Sequence, residues 1–188
     1  MKKFSLIITF ILMLVGCSSG ISSEKQTDSK QASPASTSTD NELSYEEKQK
    51  EIVDFINEDM NEIASYETKA NKALASVSAE NFKNDEELYK VLTSEVIPEY
   101  EKALEKAKSL EVSVEELTPI KDKMKKALII YYDALQLEKE ALEKTDKALI
   151  EQSNAKGSEY IEAITEYHEE MEKLAEEYGV DYQKSTTN

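Results

Sequence analysis

Residues 44–77 read SYEEKQKEIVDFINEDMNEIASYETKANKALASV, and the spacing of their apolar positions decides the fold. Ile52, Ile56, Met60, Ile63, Tyr66, Ala70, Leu74 and Val77 follow one another at steps of three and four. Such steps place side chains on one stripe of an α-helix. Ser44-Tyr45-Glu46-Glu47 reads as a capping box, in which the Ser44 and Glu47 side chains satisfy the first free backbone donors. The pattern lapses from Ser76 to Asn84, so this stretch is a connection, with Phe82 folded back onto the core.

The same period returns three more times. Asn84-Asp85-Glu86-Glu87 starts a second helix with the stripe Leu88, Leu92, Val96, Tyr100, Ala103, Ala107 and Leu110. Pro98 lies inside that stripe and removes a backbone donor, which predicts a kink between Ser94 and Ile97 rather than a stop. Thr118-Pro119 reads as an N-cap followed by a first-turn proline. The third helix carries Ile120, Met124, Leu128, Tyr131, Leu135, Leu142 and Leu149, and weakens from Ser153 to Gly157. The fourth carries Ile161, Ile164, His168, Met171, Leu174 and Tyr178. Gly179 supplies a left-handed C′ residue with Val180 as its apolar partner, and 181–188 reads as a frayed tail. The boundary at Gly157 leaves open a single long bent helix in place of the third and fourth.

No segment alternates with period two. The expected fold is therefore all-α, an antiparallel bundle of three to four long helices over residues 44–180. Glu46–Lys50, Glu140–Lys144, Glu143–Lys147 and Glu169–Lys173 have the favourable i, i+4 order and mark solvated faces.

Residues 1–43 have a different character. Lys2 and Lys3 precede an apolar run from Phe4 to Val15, too short to span a ~30 Å hydrocarbon layer as a helix. Leu14-Val15-Gly16-Cys17 closes the run. This stretch resembles a bacterial lipoprotein signal peptide with its lipobox. The resemblance implies removal of residues 1–16, a diacylglyceryl thioether on Cys17, and attachment to the outer face of the cytoplasmic membrane. Cys17 is the only cysteine, so a lipidated chain has no thiol for a disulfide and folds on packing alone. Residues 17–43 then form a disordered tether rich in Ser and Thr. Ser18–Leu43 is 26 residues, which as a flexible coil reaches roughly 28 Å.

Charge narrows the partners. The 188 residues hold 23 Lys and 39 Asp plus Glu, a net charge of −16. The leader contains two lysines and no acid, so its loss takes the charge to −18. That argues against nucleic acid and against broad adhesion to anionic lipid. Membrane attachment then comes from the acyl chains on Cys17. Every basic residue is lysine and there is no tryptophan. The lipobox, the Ser/Thr tether and the ending Leu174-Ala175-Glu176-Glu177-Tyr178-Gly179-Val180 together resemble the small helical lipoproteins of Gram-positive bacteria. Some of these are described as cell-wall-binding, and most have no known function.

Candidate chemistry is sparse. A diiron bundle needs Glu-x-x-His on two helices, but His168 is the only histidine and Thr165 stands three before it. His168 reads as a core-edge residue with its polar tip in solvent, the alternative being a haem or single-metal ligand. Glu115-Glu116, Glu169-Glu170 and Glu176-Glu177 read as solvated faces. No calcium loop, nucleophile elbow or glycine-rich phosphate loop is present. Glu138 stands where the third stripe expects an apolar residue and reads as a shift of the seam, the alternative being a polar groove that it faces. The ten tyrosines, among them Tyr66, Tyr100, Tyr131, Tyr132, Tyr160, Tyr167 and Tyr178, read as bundle lining, with an exposed tyrosine groove as the alternative.

These observations predict no catalytic residue, no cofactor, no metal site, and Cys17 as the one modified residue. The expected function is a non-enzymatic interaction module at the cell surface, with a protein or cell-envelope partner that the sequence leaves unidentified. The alternative is a lipoprotein that holds a small molecule, haem or metal inside the bundle.

Overall fold

A computed structural model describes residues 43–183. The expected leader, Cys17, all but the last residue of the tether, and residues 184–188 lie outside the described residues. The chain is an all-α bundle of four long helices. Helix α1 covers residues 45–75, comprising Tyr45–Asp54, a π-helical turn Phe55–Met60, and Asn61–Ala75. Helix α2 covers residues 85–109, comprising Asp85–Val91, a π turn Leu92–Val96, and Ile97–Ser109. Helix α3 is Leu117–Lys144 and α4 is Lys147–Glu177.

Neighbours in sequence are neighbours in space, and each successive pair runs antiparallel. Tyr132 of α3 bonds Glu101 of α2, whereas Glu143 of α3 bonds Tyr89 of α2, so rising numbers meet falling ones. The last helix closes on the first by the same logic. Tyr45 stacks on Tyr178 at one end, while Tyr160 reaches Glu67 farther along. The core runs the length of the bundle, and Leu92, Leu128, Ile63 and Met171 are fully enclosed in it.

The helix starts follow local chemistry. Ser44 and Glu47 form the expected capping box, with the Ser44 N–H donating to Glu47 Oε2 at 2.8 Å. The Asn84 side chain accepts the Glu87 N–H at 2.9 Å. Helix α3 begins at Leu117, ahead of the expected Thr118 cap, and Pro119 remains in its first turn. At the other end of the chain Gly179 has φ +63°, and the Val180 N–H bonds the Ala175 carbonyl at 2.8 Å, which is the expected Schellman closure.

Three expectations on the helices need correction. The third helix does not run to Gly157. It ends at Lys144, Thr145 takes a left-handed conformation at φ 55°, and the Asp146 side chain caps α4 by accepting the Ala148 N–H. Gly157 is a buried residue inside α4. Small residues serve close packing here, because Ser153 Oγ donates across the helix pair to the Ala134 carbonyl at 2.8 Å. In α1 the inward residue is Phe55, while Ile56 is half-buried. The π turn explains the shift, since its wider turn lets Phe55 and Met60, five residues apart, both face inward. In α4 Ile161 is 62 % exposed, and Tyr160 and Ala163 pack inward instead.

The ion pairs also differ in part. Glu140–Lys144 forms, but Lys50 pairs with Asp54 instead of Glu46. Glu143 and Lys147 fall on opposite sides of the α3–α4 turn. Lys106 ties α2 to α1 through Asp59 at 3.0 Å and Glu62 at 2.8 Å, and Lys123 ties α3 to α4 through Glu166 and Glu170.

Candidate functional site

Four helices converge on a carboxylate–tyrosine cluster in the core. Glu67 of α1 accepts hydrogen bonds from Tyr100 of α2 at 2.8 Å and Tyr160 of α4 at 3.3 Å. The Tyr131 ring of α3 lies between those two tyrosines, with centroids 4.8 Å from each. Burial raises the Glu67 carboxyl above its ordinary value, and the two phenol donors oppose that shift. The same burial pushes the phenols of Tyr100, Tyr131 and Tyr160 up, and the Glu67 charge adds to it. The tyrosines thus line the bundle and satisfy the inward-facing carboxyl of the half-buried Glu67.

Glu138 is the second core carboxyl. It lies two helical turns beyond Tyr131 on the same face of α3 and is only 5 % exposed. This corrects the expected seam shift, because the seam stays in place and the acid enters it. Burial alone moves the Glu138 carboxyl from 4.5 up to about 7.

His168 is half-buried at the edge of the core. Its Nδ1 shares a hydrogen bond with the Tyr182 hydroxyl at 2.6 Å. Tyr182 packs against the core, so the start of the expected frayed tail at 181–188 is docked on α4. Among the described residues no three His, Cys, Asp or Glu side chains are grouped to hold a metal ion. Glu116 and Glu170 each meet a lysine, Lys48 and Lys123, rather than standing only in solvent.

The two ends of the bundle differ. At the proximal pole α1 starts and α4 ends. Tyr45 and Tyr178 stack there at 5.1 Å, and Gln49 Nε2 donates to the Tyr178 carbonyl at 2.7 Å. Glu116 accepts from Lys48 at 2.8 Å and from the Tyr178 hydroxyl at 3.0 Å. At the distal pole the start of α2 meets the α3–α4 turn. A half-open cavity of about 200 Å³ lies between them, walled by Ala141, Leu142 and Ile150 and edged by Asp85, Asp146 and Lys147.

Sequence reasoning singled out Glu138 and His168 but not Glu67 or the cavity. A signal for Glu67 existed, since it stands four residues after Ile63 and three before Ala70 and so shares their face. The cavity depends on the α3–α4 turn, which has no glycine or proline to mark it. Cys17 lies outside the described residues. Among the described residues no helix is long and apolar enough to cross a membrane. Comparison with protein-family models, with curated proteins and with solved structures finds no match for this chain.

Proposed function

We propose that this protein is an extracytoplasmic lipoprotein, anchored through a diacylglyceryl group on Cys17, whose helical bundle is a non-enzymatic interaction module at the cell surface. The observation that carries the reading is the polarity of the bundle. The start of α1 and the end of α4 lie at one pole, where Tyr45 meets Tyr178, and the cavity lies at the other. Helix α3 has 28 residues, which separates the poles by about 42 Å. A lipid on Cys17 and a tether to Ser44 would therefore turn the cavity end away from the membrane. The rival reading, a ligand held inside the bundle, has less support because Tyr100, Tyr131 and Tyr160 fill the space between the helices around Glu67.

Metabolic labelling with a fatty acid tests the anchor. The wild type is expected to take up label, and Cys17→Ala to remain an unlabelled precursor or to be released. Equal labelling of both forms would sink the proposal.

A further inference from the structure

We propose that the distal cavity receives one apolar side chain of a cationic peptide segment on a partner protein, an inference that rests on the surface-tethered module proposed above. Size sets the apolar part. The cavity is about 200 Å³, slightly more than the ~150 Å³ engineered cavity that accepts benzene. It falls below the roughly 300–1,000 Å³ of sites for drug-sized ligands. One leucine-sized or phenyl group fits the wall of Ala141, Leu142 and Ile150, whereas a haem does not.

Charge sets the flanks. Asp85 and Asp146 edge the cavity, and Glu86 is exposed beside Asp85 in the first turn of α2. Lys147 is the cation on the rim. Two nearby lysines are matched within their own stretch of chain, Lys83 to Glu87 and Lys144 to Glu140. The starts of α2 and α4 add positive helix ends of roughly half a charge each. Those ends are already met by the Asn84 and Asp146 caps, and the end of α3 opposes them. The rim is therefore negative, and the whole chain at −16 extends that field. Such a field draws basic segments and disfavours acidic ones. The half-open mouth admits a side chain from outside while leaving its backbone and basic neighbours over the acidic rim.

The test is methyl NMR on the full chain in detergent micelles. The first probe is an acetylated, amidated Lys-Lys-Leu-Lys-Lys peptide, and the control has alanine at its centre. Saturable shifts at the Ala141, Leu142 and Ile150 methyls with the leucine peptide alone are expected. Asp85→Asn combined with Asp146→Asn keeps a side-chain oxygen at the α4 cap and is expected to weaken binding about threefold to tenfold. Equal shifts with both peptides would reduce the effect to charge coating and overturn the proposal. So would phenethylamine binding the cavity as tightly as the leucine peptide, which would make it a small-molecule pocket. Fatty-acid label on Cys17 with silent cavity methyls rejects the peptide site alone. Cavity binding without that label rejects the anchored reading alone.

Discussion

A carboxyl that enters the core makes stability depend on pH in a predictable direction. Glu138 is raised from 4.5 to about 7, so between those values the folded chain holds a proton that the unfolded chain has lost. Unfolding then releases protons, and stability falls as pH rises through that window, then levels off above it. The shift corresponds to roughly 3 kcal/mol. Glu138→Gln removes the charge, and urea melts at pH 5 and pH 8 are expected to show that most of this slope disappears. Glu67 is raised as well and contributes a slope of the same sign, so some dependence remains in the variant. A second contrast separates packing from polar edge contacts. Leu128 is fully enclosed in the middle of α3, and Leu128→Ala is expected to cost about 2–5 kcal/mol. His168→Ala loses the hydrogen bond with Tyr182 and the ring contact with Tyr167 at the core edge and is expected to cost about 1 kcal/mol; a loss as large as that of Leu128→Ala would show a deeper role. At this scale the apolar stripes were legible and the inward-facing acids Glu67 and Glu138 were not. With 39 acidic residues in the chain, Glu138 stands out only because it breaks a stripe. Glu67 is hidden by its neighbour Tyr66, whose bulk suits the same stripe.

Helices show why some boundaries could be read and others could not. Ser44, Asn84 and Gly179 mark their ends with side chains or backbone freedom that the ends require, and each was legible. Pro98 was legible as a disturbance and is answered by the π turn Leu92–Val96, where Thr93 and Ser94 hydroxyls donate to the Tyr89 and Lys90 carbonyls at 2.8 Å. The π turn in α1 has no such marker, and only the misplaced Ile56 betrays it. The α3–α4 turn was displaced by twelve residues, from Thr145 to Gly157. Small residues there looked like a break but serve the close approach of two helices, while a β-branched threonine took the left-handed position. Thr145 at φ 55° is strained, because that region costs an L-residue roughly 1–2 kcal/mol. Thr145→Gly is therefore expected to stabilise by up to about 1 kcal/mol, the gain being trimmed by glycine's greater freedom when unfolded. Gly179→Ala is the converse. A Cβ there would come no closer than 3.9 Å to Gln49 Nε2, so space is adequate and the backbone at φ +63° bears the strain. A loss of about 1–2 kcal/mol is expected in thermal melts. A stabilised Gly179→Ala would show that the Schellman turn does not hold the end of α4.

The described residues fold on their helix stripes, and the enclosed hydrophobic side chains run from Ile52 to Tyr178. A chain starting at Ser44 is therefore expected to be strongly helical by circular dichroism and to melt cooperatively. A largely unfolded spectrum would show that the bundle requires something outside residues 43–183. The meeting of the start of α1 with the end of α4 has a mechanical consequence. A pull applied at the start of α1 and resisted at the far end of the bundle runs parallel to the helix axes. Such a load slides α1 lengthwise against α2 and α4 instead of peeling it away turn by turn. Many contacts must then yield together, including the Lys106 bridges to Asp59 and Glu62 and the Tyr100 bond to Glu67. The stacked Tyr45 and Tyr178 rings and the Gln49 bond to the Tyr178 carbonyl sit where the load enters and take it first. Stretched between its two poles, this bundle is a stiff strut with a clamp at its loaded end.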